Sequence, residues 1–310
     1  MSPALIALDW GTSSARAMLV APSGAVLARR GGGRGVSQLA AGAFEDALFD
    51  LCADWIEAHA VPILASGMVG SRQGWREAPY LAAPCGPDGC AAALTSIALT
   101  RAPGRSIHLL PGVSITRFDG TRDVMRGEEA QVWGCHSGAA ATYVLPGTHS
   151  KWVDVNARSQ ISAFRTYMTG ELFSLLSAHS SLRWQAVGEP GSAVQADAQF
   201  ELGVRRALAH SAGLSSLMFQ ARAAALFGDV AAQGVPAFLS GLLIGAEVAS
   251  ALNVDKPSAG VKVIGEAQLC LLYQAALRIC AVPAEVVDAS DATARCALMV
   301  AQAAQLLKGM

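Results

Sequence analysis

Leu5 to Leu8 forms a short apolar run that leads directly into Asp9-Trp10-Gly11-Thr12-Ser13-Ser14-Ala15-Arg16. The spacing puts an aspartate at the end of a strand and a glycine at the centre of a tight turn. A glycine there lets the backbone approach a phosphate closely, and successive turn amides can form an anion nest. Gly11, Thr12, Ser13 and Arg16 are therefore candidate phosphate contacts, with Ser14 a further hydroxyl donor. Asp9 is the candidate metal residue, because Mg²⁺ prefers a carboxylate plus water. The plainer alternative is an ordinary hairpin in which Asp9 and Thr12 satisfy turn amides.

The pattern returns 136 residues later: Ala141 to Leu145 leads into Pro146-Gly147-Thr148-His149-Ser150-Lys151. Gly147 and Thr148 would meet terminal phosphates from the opposite side, with Lys151 or His149 offsetting negative charge. No aspartate precedes this second Gly-Thr pair, so the metal role stays with Asp9. Other phosphate signatures are absent. The chain contains no Gly-x-x-x-x-Gly-Lys-Ser/Thr, and no Gly-x-Gly-x-x-Gly opens a helix.

The elements that must carry these turns also repeat. After the first turn, residues 17–20 and 26–29 read as two further strands separated by Pro22-Ser23-Gly24. A helix fits residues 45–59, with Leu48, Cys52, Trp55 and Ile56 on one stripe. Residues 61–65 read as a buried parallel strand emptying into the glycine loop 66–74, and another buried strand fits 107–110. A helix fits 126–135. Past the second turn, strands fit 152–155 and 161–165, and helices fit 170–179, 197–209, 215–227 and 236–252. Strands at 261–264 and 285–287 and a final helix at 291–307 complete the chain. Two strand–Gly-Thr–strand–turn–strand units, each followed by helix and buried strand, predict two copies of one α/β unit joined near residues 125–140.

Length and composition agree with that reading. The 310 residues suit two domains, and 52% hydrophobic content supports two cores. The net charge of −1 provides no global field for nucleic acid or an anionic membrane surface. Residues 1–10 carry no basic leader region, and residues 238–252 contain Glu247 and read as too short to span a bilayer, so a cytoplasmic protein is expected. The seven cysteines include no Cys-x-x-Cys pair and read as reduced, buried thiols. Residues 29–35, rich in Arg and Gly, read as a flexible loop.

Longer blocks make the resemblance specific. Gly67-Met68-Val69-Gly70-Ser71, Ala78-Pro79-Tyr80-Leu81, Val124-Met125-Arg126-Gly127-Glu128-Glu129 and Pro146-Gly147-Thr148-His149 are four of them. Phe164-Arg165-Thr166, Met168-Thr169-Gly170-Glu171-Leu172 and Ser240-Gly241-Leu242-Leu243-Ile244-Gly245-Ala246-Glu247-Val248 are three more. Together they resemble the 2-dehydro-3-deoxygalactonokinases, from residue 5 to about 250. The resemblance implies a duplicated ribonuclease-H-like, actin-like ATPase fold with two domains flanking a nucleotide and substrate cleft. The first domain, residues 1–125, would carry the first phosphate turn and the sugar-acid site. The second, residues 126–310, would carry the second turn and the adenosine site, with the last helix returning to the first domain. The implied reaction is ATP- and Mg²⁺-dependent phosphorylation of the C6 hydroxyl of 2-dehydro-3-deoxy-D-galactonate in D-galactonate breakdown.

On that basis a carboxylate-bearing substrate calls for arginine forks or loop amides. Arg72, Arg126 and Arg165 lie in matched blocks, and Gly70, Ser71 and Tyr80 are the further substrate candidates. The general base is sought among Glu128, Asp123 and Glu129. Glu128 ranks first by the family match, Asp123 second, and Glu129 is the expected solvent-facing or structural member. Gly265, after the strand at 261–264, is the candidate adenosine contact. ATP and a small 2-keto-3-deoxy sugar acid are the expected partners, with the oligomeric state, a homodimer included, left open. The rivals are a non-catalytic sugar-acid or nucleotide sensor, a kinase of another small sugar acid, and a phosphatase, all on the same fold.

Overall fold

The apolar runs around the first turn build a sheet whose inner strands are covered on both faces. In the computed structural model, which describes residues 2–184, 194–254, 257 and 260–307, β1 (Leu5–Trp10), β2 (Ser14–Val20) and β3 (Val26–Arg34) pair antiparallel in succession. Helix α1 (Phe44–Ala58) then crosses to β4 (Ile63–Ser66), which runs parallel to β1 with Asp9 opposite Ser66. β5 (Tyr80–Ala82), α2 (Pro87–Ala92), β6 (Thr95–Ala98) and β7 (Ser106–Leu109) follow. β8 (Gly112–Thr116), β9 (Arg122–Met125) and helix α3 (Glu128–Cys135) come next. The main sheet has the order β3-β2-β1-β4-β7-β6, and β5-β8-β9 form a small second sheet.

The second half repeats the plan. β10 (Ala141–Leu145), β11 (Ser150–Val155) and β12 (Ile161–Tyr167) precede helices α4 (Thr169–His179), α5 (Ala198–Leu208), α6 (Leu214–Phe227) and α7 (Val235–Val254). β13 (Val261–Val263), α8 (Ala267–Ile279), β14 (Ala284–Val286) and α9 (Ala292–Ala303) close the chain. This sheet has the order β12-β11-β10-β13-β14, with β10, β13 and β14 parallel. It reproduces β3-β2-β1-β4-β7 strand for strand, the duplicated ribonuclease-H-like order expected from the sequence.

The chain divides into two compact units. One comprises Met1–Ala140, Val155–Phe164 and Asp288–Met310, and the other comprises Ala141–Asp154 and Arg165–Val287. Helix α3, read above as opening the second domain, thus belongs with the first, as does α9. The two helices pack so closely that a side chain on Gly134 would run into the Ala292 carbonyl. In the second unit Gly203, Gly241 and Gly245 bring α5 and α7 into backbone contact, so the two α7 glycines serve packing.

Three expectations change. Residues 29–34 are part of an edge strand instead of a flexible loop. The arginines that suggested looseness are held there: Arg30 pairs with Asp54 at 2.5 Å and lies over the Trp55 ring, and Arg34 pairs with Asp50 at 2.9 Å. Helix α7 is longer than the apolar run suggested, reaching 20 residues. Among the described residues it anchors the one stretch long and apolar enough to cross a membrane, yet 72% of that window is buried inside the unit. It is a core helix. Helices α2 and α8 escaped the sequence reading, as did the short strands β5, β6, β8 and β9, since strands of three to five residues carry little periodicity.

Candidate active site

In the first unit the chemistry gathers at the carboxyl ends of β1 and β4, where open α/β sheets bind ligands. Asp9 stands one residue from the end of β1, beside Ser66 across the parallel pair and beside Arg16 across the antiparallel one. The turn between β1 and β2 is closed by Gly11 N–H donating to Ser14 O at 2.9 Å, and Thr12, Ser13, Ser14 and Arg16 are exposed. Residues 35–37 prop the turn from behind. Val36 N–H donates to Gly11 O and Ser37 N–H to Thr12 O. A β-carbon on Gly35 would sit 2.3 Å from the Thr12 oxygen, so only glycine allows this approach. Sequence reading missed this support because Gly35 ends a glycine-rich run with nothing to distinguish it.

The loop after β4 meets the start of α3. A β-carbon on Gly127 would lie 3.2 Å from Gly67 Cα, and one on Gly70 would lie 3.0 Å from Arg126 Nη1. Arg126 is buried. Its Nη2 donates to Ala78 O at 2.8 Å and its guanidinium lies 4.3 Å from the Tyr80 ring centroid. Its Nε and Nη1, like the buried Ser71 hydroxyl, have no hydrogen-bond partner. Three unmatched buried donors, on the loop after β4 and at the start of α3, are costly unless an acceptor is supplied, and a ligand oxygen is such an acceptor. Among the three candidate arginines only Arg126 has this character. Arg72 has an 81% exposed side chain and reaches Glu77 at 3.7 Å, and Arg165 lies on β12 in the other unit.

The three acids near α3 have different surroundings. Glu128 is half-buried, and its Oε2 accepts from Arg126 N–H at 3.0 Å. Asp123 lies on β9 instead of in a helix cap, and Arg117 holds it at 3.0 Å while also donating to Phe164 O. Glu129 is fully buried, which excludes the solvent-facing option and leaves the structural one. Both its oxygens accept from Gly127 N–H, at 2.9 and 2.8 Å. Burial, and then the charge of Glu128, push the Glu129 carboxyl up to about 8. Burial also raises Asp9, Arg16 opposes that rise, and Glu128 adds to it.

The Glu129 shift has a consequence for stability. Below its ordinary value of 4.5 the group is protonated in folded and unfolded chains alike. Between 4.5 and about 8 the unfolded chain releases the proton first, so stability falls as pH rises through that window. Glu129→Gln is expected to flatten this slope and leave the variant more stable than the parent at pH 8. Urea unfolding of both proteins at pH 5 and pH 8 measures it. Parallel pH profiles would show that Glu129 is ionised in the fold.

In the second unit the turn after β10 is held by α4. Glu171 N–H donates to Thr148 O at 3.0 Å, and its carboxylate pairs with His149. A β-carbon on Gly170 would fall 2.4 Å from Gly147 O, so α4 can start against the turn only with glycine there. Lys151 is buried, and its Nζ donates to His149 O at 3.3 Å. Gly265 follows β13, its α-carbon facing the Pro146 carbonyl. Beside the turn opens an apolar pocket of about 380 Å³, whose wall includes Gly147, Thr169, Gly170, Glu266, Gln268 and Tyr273. Gly265 itself does not line it. Its neighbours do.

Among the described residues no three His, Cys, Asp or Glu side chains cluster as a self-sufficient metal site. Mg²⁺ is ordinarily held by one or two carboxylates together with substrate phosphates, and the Asp9 carboxyl at the end of β1 has the chemistry of such a donor. All seven cysteines are free, and burial raises the Cys52, Cys85 and Cys270 thiols. They are poor nucleophiles or metal ligands.

A repeated β-sheet unit, with a Gly-Thr turn at the end of the first strand of each copy, defines the actin-like ATPase and sugar-kinase class. Within that class the chain belongs to the 2-keto-3-deoxy-galactonokinase family, whose model matches residues 9–300. It is 40% identical over 294 residues to the Rhizobium meliloti (strain 1021) protein named "Probable 2-dehydro-3-deoxygalactonokinase DgoK1", covering 92% of each chain. It is 37% identical over 279 residues to the Escherichia coli (strain K12) 2-dehydro-3-deoxygalactonokinase, covering 90% of each. The solved structure of a "putative 2-dehydro-3-deoxygalactonokinase protein" from Sinorhizobium meliloti superposes with a TM-score of 0.85 at 33% identity. That superposition covers 99% of this chain and 100% of the other.

Proposed function

We propose that this protein transfers the γ-phosphoryl group of ATP to the C6 hydroxyl of 2-dehydro-3-deoxy-D-galactonate, a step in D-galactonate breakdown. The observation that carries the reading is the family match across nearly the whole chain, with Asp9 and both Gly-Thr turns intact. In the transfer the substrate oxygen bonds to the γ-phosphorus, the bond from that phosphorus to the β,γ-bridging oxygen breaks, and ADP leaves. Glu128 accepts the hydroxyl proton. Gly11, Thr12, Ser13, Gly147 and Thr148 bind phosphate oxygens of the nucleotide. Arg16 and Lys151 supply positive charge to the nucleotide, and Gly265 abuts the nucleoside. A Mg²⁺ ion bound with the nucleotide and held by Asp9 would neutralise charge on the transferring phosphates.

The unmatched donors of Arg126 and Ser71 support a place for the sugar-acid carboxylate, with Gly70 and Tyr80 shaping it. Arg72 and Arg165 remain candidates for secondary contacts with the same substrate. A coupled ADP-release assay over a panel of 2-keto-3-deoxy sugar acids tests the reading. The expected result is Mg-ATP-dependent turnover of 2-dehydro-3-deoxygalactonate, with little ATP hydrolysis when no sugar acid is present. Turnover of none of the panel, or equal hydrolysis without substrate, would point instead to a sensor or a phosphatase.

A further inference from the structure

Glu247 sits in the middle of α7, the most apolar helix of the second unit, and is buried. Its Oε1 accepts from the Ser150 hydroxyl at 2.5 Å and from Trp152 Nε1 at 2.8 Å. Its Oε2 accepts from the Tyr273 hydroxyl at 2.7 Å and from the Thr169 hydroxyl. Two donors on each oxygen are the full complement of an ionised carboxylate. All four donors are neutral. Burial raises the carboxyl and the four hydrogen bonds oppose that rise. An isolated buried charge is expensive, and an apolar side chain would suit the surroundings of α7 better if packing alone were at stake.

The donors show what the carboxylate holds. Ser150 is the first residue of β11, directly after the second Gly-Thr turn, and Trp152 lies two residues on, on the same face of that strand. Thr169 opens α4, whose next residue, Gly170, packs on Gly147 and Thr148. Tyr273 comes from α8, and Thr169, Tyr273 and Gly147 all line the 380 Å³ pocket. One carboxylate therefore ties the exit of the turn, the helix braced against the turn, and the pocket wall to a single point.

We infer that Glu247 is a positioning residue for nucleotide binding, fixing the second phosphate turn in register with the pocket beside it. The inference rests on the reading that the second unit binds ATP, and it assigns Glu247 no contact with the nucleotide. A glutamine cannot reproduce the arrangement. Its single carbonyl oxygen can serve two donors, while its NH₂ group faces the other two and forces them to turn or separate. The turn then loses its fixed spacing from the pocket wall.

The test is calorimetric titration of the full-length chain with Mg-ADP, without sugar acid, so that the readout does not depend on turnover. Glu247→Gln is expected to weaken ADP binding by about tenfold or more, the effect of losing one or two hydrogen bonds to a charged group. In the same variant, sugar-acid affinity is expected to stay within about twofold, a difference too small to register as a lost hydrogen bond. Thr169→Val and Tyr273→Phe each remove one donor, and smaller losses in the same direction are expected. They also serve if Glu247→Gln does not fold. A variant with lowered Tm but wild-type ADP affinity would reduce Glu247 to a structural role and overturn the inference. So would wild-type affinity in both donor variants. Failure of the parent protein to bind ADP would overturn the nucleotide reading itself and the inference with it.

Discussion

Asp9→Asn is expected to lower kcat by about two orders of magnitude or more, roughly 3 kcal/mol of transition-state stabilisation, in a protein that remains folded. Asp9 is the carboxylate at the strand end leading into the first phosphate turn, and the opposed charge beside it is Arg16, across the strand pair. Burial and Glu128 both work against its ionised form. An arrangement that disfavours a carboxylate at rest is one that an arriving cation relieves. Asparagine keeps the shape and one oxygen but not the charge. Because that charge matters most while phosphoryl oxygens are redistributing theirs, the loss falls on kcat more than on KM. Removing a strained charge should leave Tm unchanged or raise it slightly. Steady-state kinetics at saturating Mg²⁺, with a thermal melt on the same sample, measure both. A kcat near that of the parent would end the proposed role of Asp9.

Glu128→Gln is expected to reduce kcat by about 10²–10⁴, the usual contribution of a general base. Sugar-acid binding, followed by calorimetry, should persist. Glutamine can still accept the Arg126 N–H through its carbonyl oxygen, so the start of α3 is kept while the proton acceptor is lost. The neighbouring acids supply the controls. Asp123 already has Arg117 as a fixed partner at 3.0 Å, and Asp123→Asn is expected to keep most of kcat. Glu129 is buried with both oxygens on Gly127 N–H, so its replacement should appear in the pH dependence of stability before it appears in turnover. Should Glu128→Gln keep more than about a tenth of kcat, well inside the loss expected for a general base, the proton acceptor lies elsewhere.

Much of what depends on neighbours along the chain was legible in the sequence. An apolar run ending in Asp9-Trp10-Gly11-Thr12 reads as a strand and a tight glycine turn, and the recurrence of that pattern at Gly147-Thr148 exposed the duplication. Helix stripes such as Leu48, Cys52 and Trp55 located α1 to within a residue at each end. Side-chain surroundings were a different matter. Arg72, Arg126 and Arg165 are alike as letters in matched blocks. Only the packing of Gly70, Ala78 and Tyr80 around one of them leaves it buried with donors unmatched. Glu128 and Glu129 are adjacent, but about 100° of helix rotation separates a half-buried carboxylate from a fully buried one. Gly35 and Gly170 gain their purpose from turns 20 or more residues away. In the sequence Glu247 is a charge within an apolar run, and its four donors come from 97, 95, 78 and 26 residues distant. Local pattern encodes which groups can form strand, turn and helix. Which buried charge is paired, and with what, is decided only when segments far apart in sequence are brought to hydrogen-bonding distance, because that energy depends on spatial separation and burial, neither of which the order of residues contains.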